Sequence, residues 1–198
     1  YEIINTSQEI KMDDKPSKAI KTKTDSSMIK SMKLLKNGSA DAIISAGNTG
    51  ALMLGSSIII GKIPGVRKVV LAPSIPNKFG NFILADVGAN INLKPQYFID
   101  MAHLCSIYSK NIKNNNKASI HLLNIGTEEN KGTAELVETF SLLSKNISNF
   151  KGNIEPRALM TTKLDVVLCD GFIGNTILKL IEGLSHFLFD ELVELSND

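Results

Sequence analysis

Four stretches of this chain group glycine with asparagine and aspartate, residue types that let a backbone approach an anion and supply it with hydrogen-bond donors. They are Ala46-Gly47-Asn48-Thr49-Gly50, Asp86-Val87-Gly88-Ala89-Asn90, Asn124-Ile125-Gly126-Thr127-Glu128-Glu129-Asn130-Lys131-Gly132 and Asp170-Gly171-Phe172-Ile173-Gly174-Asn175. Any one alone reads as turn chemistry, with Gly at positive φ and Asn or Asp capping the next helix. Four on one edge of a parallel sheet would line a donor-rich cleft suited to phosphate. Residues 47–50 fall short of a G-x-G-x-x-G fingerprint and no Walker motif occurs, so the pattern does not specify a nucleotide. Lys131 closes a Gly-bounded loop just before a helix pattern, where spacing alone favours a solvated lysine. Asn175 stands at the expected start of the last helix, where its amide and the helix N-terminus would face one anion. Asp86 and Asp170 stay open between two roles: accepting backbone N–H bonds at a loop start, or positioning substrate. Cys105 falls mid-helix and Cys169 inside a strand, so both read as inert packing thiols. His103, His121 and His186 are too scattered for a metal centre or a triad, and neither a metal nor a cofactor is expected.

These loops need elements to hold them. Apolar runs suggest strands at 2–5, 42–45, 68–71, 82–86, 120–124 and 166–170, of the kind covered on both faces. Helix patterns lie between them at 26–36, 49–60, 94–112, 132–145 and 175–194. The 49–60 segment is apolar nearly all round and should be buried. Alternation of the two argues for parallel βαβ units in an α/β layered fold. The run Asn114-Asn115-Asn116 reads as a surface loop or frayed helix end. Hydrophobic residues make up 43% and charged residues 21%, which excludes disorder. A net charge of +2 gives no field that would gather nucleic acid. No apolar run reaches the length of a spanning helix, and two cysteines give no disulfide framework, so the expected compartment is the cytoplasm.

The four loops, together with Met12-Asp13-Asp14-Lys15-Pro16 and Asp25-Ser26-Ser27-Met28, resemble the bacterial phosphate acyltransferase (PlsX) family in order and spacing, from Tyr1 to about Leu192. The resemblance implies a three-layer, parallel-rich α/β sheet of the isocitrate/isopropylmalate dehydrogenase type, related to phosphotransacetylases. It implies transfer of a fatty acyl group from acyl carrier protein to inorganic phosphate, with acyl phosphate released for phospholipid synthesis. It also turns Lys131 into the site's cation, with Asn175 as its partner. Gly47, Asn48, Thr49, Gly50, Asp86, Asn90, Asn124, Gly126, Glu128, Gly132, Asp170 and Gly171 become the substrate and phosphate loops. Such chemistry needs little more than positioning and oxyanion stabilisation, because the thiol leaves readily and phosphate is itself a nucleophile. Family members begin with a further strand and a Gly-Asp loop and run on past the last helix. The expectation is therefore one α/β domain over 1–198, a fragment of the family's length. Pro156 in Glu155-Pro156-Arg157 stands where a small residue is expected and should only stiffen its loop.

Two other readings remain at this stage. One is a phosphotransacetylase-like enzyme moving short acyl groups between coenzyme A and phosphate; the other is a non-catalytic anion- or nucleotide-binding module. A dehydrogenase is disfavoured by the missing acidic residue about 20 positions after a Gly loop. Lys11, Lys15, Lys18, Lys21, Lys23, Lys30, Lys33 and Lys36 face only Asp13, Asp14 and Asp25 in the same stretch. That is either a solvated surface or a patch that steers acidic acyl carrier protein. The apolar surplus of 180–193 suggests core or subunit contact, and the resemblance implies a homodimer with weak peripheral attachment to the membrane.

Overall fold

The computed structural model describes residues 1–113 and 117–197. The Asn114-Asn115-Asn116 run lies outside the described residues. The chain packs as two compact units, Tyr1–Val69 and Val70–Asp198.

The first unit is helical. It holds α1 (Pro16–Thr22), α2 (Ser27–Lys36) and α3 (Thr49–Gly55), with a π-helical turn, Ser56–Ile60, continuing α3. Its core is Ile20, Met28, Ile29, Met32 and Ala51. The strands expected at 2–5 and 42–45 do not form: Ile3, Ile4 and Ile44 are exposed, and although Ile43 packs on the core, β-branched propensity has no ladder to act through. The 49–60 segment is a helix but is not uniformly buried. Ala51 and Gly55 face the core, whereas Ile58 is exposed. Gly55 is there for close packing, since a Cβ on it would stand 2.7 Å from Met32 Sδ.

The second unit is a three-layer α/β sandwich. It contains β1 (Ser74–Asn77), β2 (Gly80–Ala85), α4 (Pro95–Lys113), β3 (Ile120–Leu123), α5 (Ala134–Asn146), β4 (Phe150–Ile154), β5 (Val166–Leu168) and α6 (Gly171–Asn197). The sheet order is β1-β2-β5-β3-β4, antiparallel only at the β1–β2 hairpin and parallel across β2, β5, β3 and β4. Alternation sends Ile83, Ala85, Val166 and Leu168 to one face, where they pack with Phe98, Met101 and Cys105 of α4 and Leu143 of α5. Phe82, Leu84, Val167 and Cys169 go to the other, with Ile177, Leu178 and Ile181 of α6 packed against them. Two strands escaped the sequence reading. In β1 the residue Pro76 is tolerated because the strand lies at the sheet edge, and β4 carries Gly152 at φ +94° with no continuous apolar run. The expected strand at 68–71 is not one: Leu71 runs beside the end of β2, donating to Asp86 Oδ1 at 3.1 Å and accepting from Val87 N at 3.1 Å, outside any ladder.

The amino edge of this sheet is tied by Lys113. Its Nζ donates to the Asn81 and Leu164 carbonyls and lies 3.3 Å from Asp165 Oδ1, while Asp165 Oδ2 accepts from Ser119 N and Oγ at 2.9 and 3.0 Å. The opposite, carboxyl edge is where β2, β5 and β3 deliver three of the four loops.

Candidate functional site

At the end of β2, Asp86 is fully buried. Its Oδ1 accepts from Leu71 N and Ala89 N, each at 3.1 Å, and its Oδ2 from Asn90 N at 2.7 Å and Asn90 Nδ2 at 2.9 Å. Four N–H donors fill one unexposed carboxylate, the arrangement of a group that builds its loop. At the end of β5, Asp170 accepts from Phe172 N at 2.8 Å, capping α6, and from Leu93 N at 2.9 Å, fastening the β2 loop to the same corner. Gly171 N donates to Asn90 O at 3.0 Å. The glycines permit the contact: a Cβ on Gly171 would collide with Asn90 O, and one on Gly174 with Asp86 O.

Helix α6 therefore begins at Gly171, four residues earlier than expected, and Asn175 lies on its second turn rather than at its start. The first two amides of α6 are already bonded, so the helix N-terminus does not stand open beside Asn175 as the sequence suggested. Asn175 itself is exposed and lies against Gly88, whose φ of +121° holds that turn; a Cβ on Gly88 would be 3.6 Å from Asn175 Cβ.

At the end of β3, Asn124 is buried and also works on the backbone. Its Nδ2 donates to Lys131 O at 2.9 Å and its Oδ1 accepts from Ile125 N at 2.8 Å. Gly132, at φ +91°, leaves Asn124 its place, because a Cβ there would be 2.6 Å from Asn124 Oδ1. The side chains of Glu128 and Lys131 fold over the buried Gly126, where a Cβ would meet Glu128 Oε2 at 2.8 Å and Lys131 Cγ at 3.0 Å. Lys131 Nζ stands 3.9 Å from Glu128 Oε1 with about half its side chain (49%) exposed, a loose pair that leaves the ammonium accessible. Asn153 of β4, missed in the sequence, anchors this loop by donating to Glu128 O at 2.8 Å. Its signal was a polar residue at a buried strand position, invisible without the strand.

Adjacent parallel strands are about 4.8 Å apart, so the ends of β2 and β3 are separated by roughly 10 Å with β5 between them. Asn90, Asp170, Gly171 and Asn175 meet at one corner, and Lys131 stands in the neighbouring loop. No hydrogen bond links Lys131 to Asn175 among the described residues.

In the first unit, Asn48 is buried and caps α3, its Oδ1 accepting from Ala51 N at 2.9 Å. Its Nδ2 points to the Lys11, Met12 and Asp14 carbonyls at 3.0–3.1 Å, so this side chain too is structural. Gly47 N donates to Ser45 Oγ at 3.2 Å, Gly50 packs on Pro16, and Thr49 is exposed at the first turn of α3. A groove of about 370 Å³ in this unit is lined by Ile10, Met28, Ile43, Ser45 and Gly47 among others.

Both cysteines are buried free thiols. Burial pushes the Cys105 thiol up to about 12, and burial together with the nearby Asp86 pushes Cys169 higher still. No group of three or more His, Cys, Asp or Glu side chains able to hold a metal ion occurs among the described residues.

A parallel-rich α/β sheet with loop-built carboxyl edge is the phosphotransacetylase-related fold. The chain aligns with a phosphotransacetylase from Streptococcus pyogenes at a TM-score of 0.58 and 19% identity, covering 78% of this chain and 54% of that one. The EutD phosphotransacetylase from Staphylococcus aureus aligns at 0.58 and 18% identity over the same shares. The chain belongs to the fatty acid synthesis protein family, whose model matches residues 1–194. It is 43% identical over 196 residues to a protein of Clostridium kluyveri named phosphate acyltransferase, covering 97% of this chain and 59% of that one. A Clostridium acetobutylicum protein of the same name is 42% identical over 191 residues, covering 96% and 58%. The chain thus spans somewhat under three fifths of the length of these relatives.

Proposed function

We propose that the protein transfers a fatty acyl group from acyl carrier protein to inorganic phosphate, releasing acyl phosphate for phospholipid synthesis. The observation that carries this reading is the 43% identity, over 97% of the chain, to a relative named phosphate acyltransferase. A phosphate oxygen attacks the thioester carbonyl carbon, and the carbonyl electron pair moves onto its oxygen. Collapse of that tetrahedral intermediate breaks the C–S bond; the sulfur leaves with the bonding pair, and the acyl group stays on phosphate. Both reactants arrive activated, so the protein's part is to hold them together and stabilise the oxyanion.

The carboxyl edge supports that division of labour. Asp86, Asp170 and Asn124 shape the loops through backbone N–H and C=O groups, while the accessible Lys131 ammonium and the exposed Asn175 carboxamide are the groups assigned to substrate. Acyl-enzyme chemistry is disfavoured by the two raised thiols. Phosphate-dependent release of free thiol from an acyl carrier protein thioester, compared with acetyl-coenzyme A, tests the assignment of donor. Preference for the carrier thioester is the expected result; preference for acetyl-coenzyme A favours short-acyl phosphotransacetylase activity instead.

The exposed stripe Leu180, Leu184, Phe187, Leu188 and Leu192 on α6 is assigned to a homodimer contact. Light scattering at micromolar concentration should show a dimer, and a monomer would refute this. No helix among the described residues is long and apolar enough to cross a membrane, and any membrane contact is proposed as peripheral.

A further inference from the structure

Helix α1 buries Ala19 and Ile20, and its solvent side carries Lys18 and Lys21, with Lys15 one helical step before them. All three are exposed, and the row is about 9 Å long at 1.5 Å per residue. The carboxylates nearby in sequence are engaged elsewhere. Asp14 Oδ2 is 2.5 Å from Lys23 Nζ and accepts from Lys11 N at 2.7 Å; Asp25 is 2.8 Å from Lys30 Nζ and accepts from Ser7 N and Oγ. The Lys23 hydrogen bond holds the Asp14 carboxyl below its usual range, and the Lys30 hydrogen bond does the same for Asp25. Lys15, Lys18 and Lys21 make no ion pair among the described residues.

Charge is also segregated between the two units. Residues 1–69 contain 11 Lys and Arg against 6 Asp and Glu, whereas residues 70–198 contain 11 against 14. A partner drawn to this unit is therefore acidic. Beside its lysines α1 exposes only Ser17 and Thr22, with no aliphatic or aromatic anchor of its own, which suits a protein surface better than a lipid one. Lysines repeating every three residues match carboxylates repeating every three or four along a second helix.

We infer that the Lys15–Lys18–Lys21 row is the docking surface for the acidic carrier protein that delivers the acyl group, helix against helix. This rests on acyl carrier protein being the donor, as proposed above. The docking would raise the encounter rate and fix the approach without entering the chemistry.

The test is direct binding of apo acyl carrier protein to the full chain by fluorescence anisotropy, at 50 and 250 mM salt. K15E/K18E/K21E should raise Kd about tenfold or more and flatten its salt dependence. K15Q/K18Q/K21Q should fall between it and the wild type, which guards against a folding defect in the reversal. The control K145E/K151E/K163E makes the same change in net charge in the other unit and should leave Kd within about twofold. An unchanged Kd in the α1 reversal, equal weakening in the control, or no binding by the wild type would each overturn the surface. So would loss of binding to phosphatidylglycerol vesicles in the α1 variant with carrier binding intact, which would assign the row to lipid. Acyl phosphate formation in the same preparations, from carrier and coenzyme A thioesters, reports separately on the reaction.

Discussion

Asp86 lies in the loop after β2 and Lys131 in the loop after β3, and their environments assign them opposite jobs. Removing the Asp86 carboxylate takes the acceptor from four partly buried N–H donors, at a cost of at least ~3 kcal/mol. Asp86→Ala should therefore lower the melting temperature sharply, and calorimetry showing a wild-type melt would return Asp86 to the list of substrate contacts. Lys131→Met and Asn175→Ala should instead leave the melt unchanged and lower kcat by about 10²–10³, with less than additive loss in the double variant. His121 gives a pH signature. Burial holds its imidazole below its ordinary value, and its Nδ1 is buried without a partner. A depressed folded pKa means the unfolded chain takes the proton first, so stability is intact above pH ~6.5 and falls as pH drops toward the folded pKa. His121→Leu should flatten the melting temperature below about pH 6.5; an unchanged slope would remove His121 as its source. At this scale the sequence singled out positions but not their duties. Asn48, Asp86 and Asn124 look like ligand donors until their partners are seen, and every partner is a backbone group or the neighbouring asparagine.

Helix α6 offers two glycines with opposite expected outcomes. In an open helix interior Ala is favoured over Gly by about 0.5–1 kcal/mol, and a Cβ on Gly183 would meet nothing within 4 Å. Gly183→Ala should raise the melting temperature. Gly174 carries the same propensity term, but its Cβ would drive into the Asp86 carbonyl and stand 2.7 Å from Cys169 Sγ, so Gly174→Ala should cost about 1–3 kcal/mol and loosen the β2 loop. Equal shifts of the same sign in the two variants would contradict the packing of α6 on that loop. Elements that were legible in the sequence are those with a long period or an apolar run bounded by turn residues: α2, α4, α5, β2, β3 and β5. Hidden ones depend on a neighbour. β1 exists because β2 turns back on it through Asn77 and Gly80, and β4 because β3 accepts a strand containing Lys151, Gly152 and Asn153. Conversely, 42–45 has the residues of a strand and no strand to join.

Across the whole chain, a basic helical unit and a more acidic α/β unit carry the four glycine loops between them, one on the first and three on the second. The family was readable from those loops because their order and spacing survive where the identity of any single residue does not. In the first unit α2 and the 49–60 helix were legible, but α1 was not, since a seven-residue helix held by Ile20 packing beside Met28, Met32 and Ala51 shows no long apolar period. Cys105→Ala with Cys169→Ala should keep turnover in a folded protein, and a loss would reinstate covalent catalysis. The most direct test of the account is to trap the product. Acyl carrier protein thioester and phosphate are incubated with the protein as the cell makes it and with its Lys131→Met variant, and acyl phosphate is captured as hydroxamate. Phosphate-dependent acyl phosphate is expected, equimolar with released carrier thiol, its rate falling by about 10²–10³ in the folded variant. Thiol release without acyl phosphate, or an undiminished rate in Lys131→Met, would contradict it.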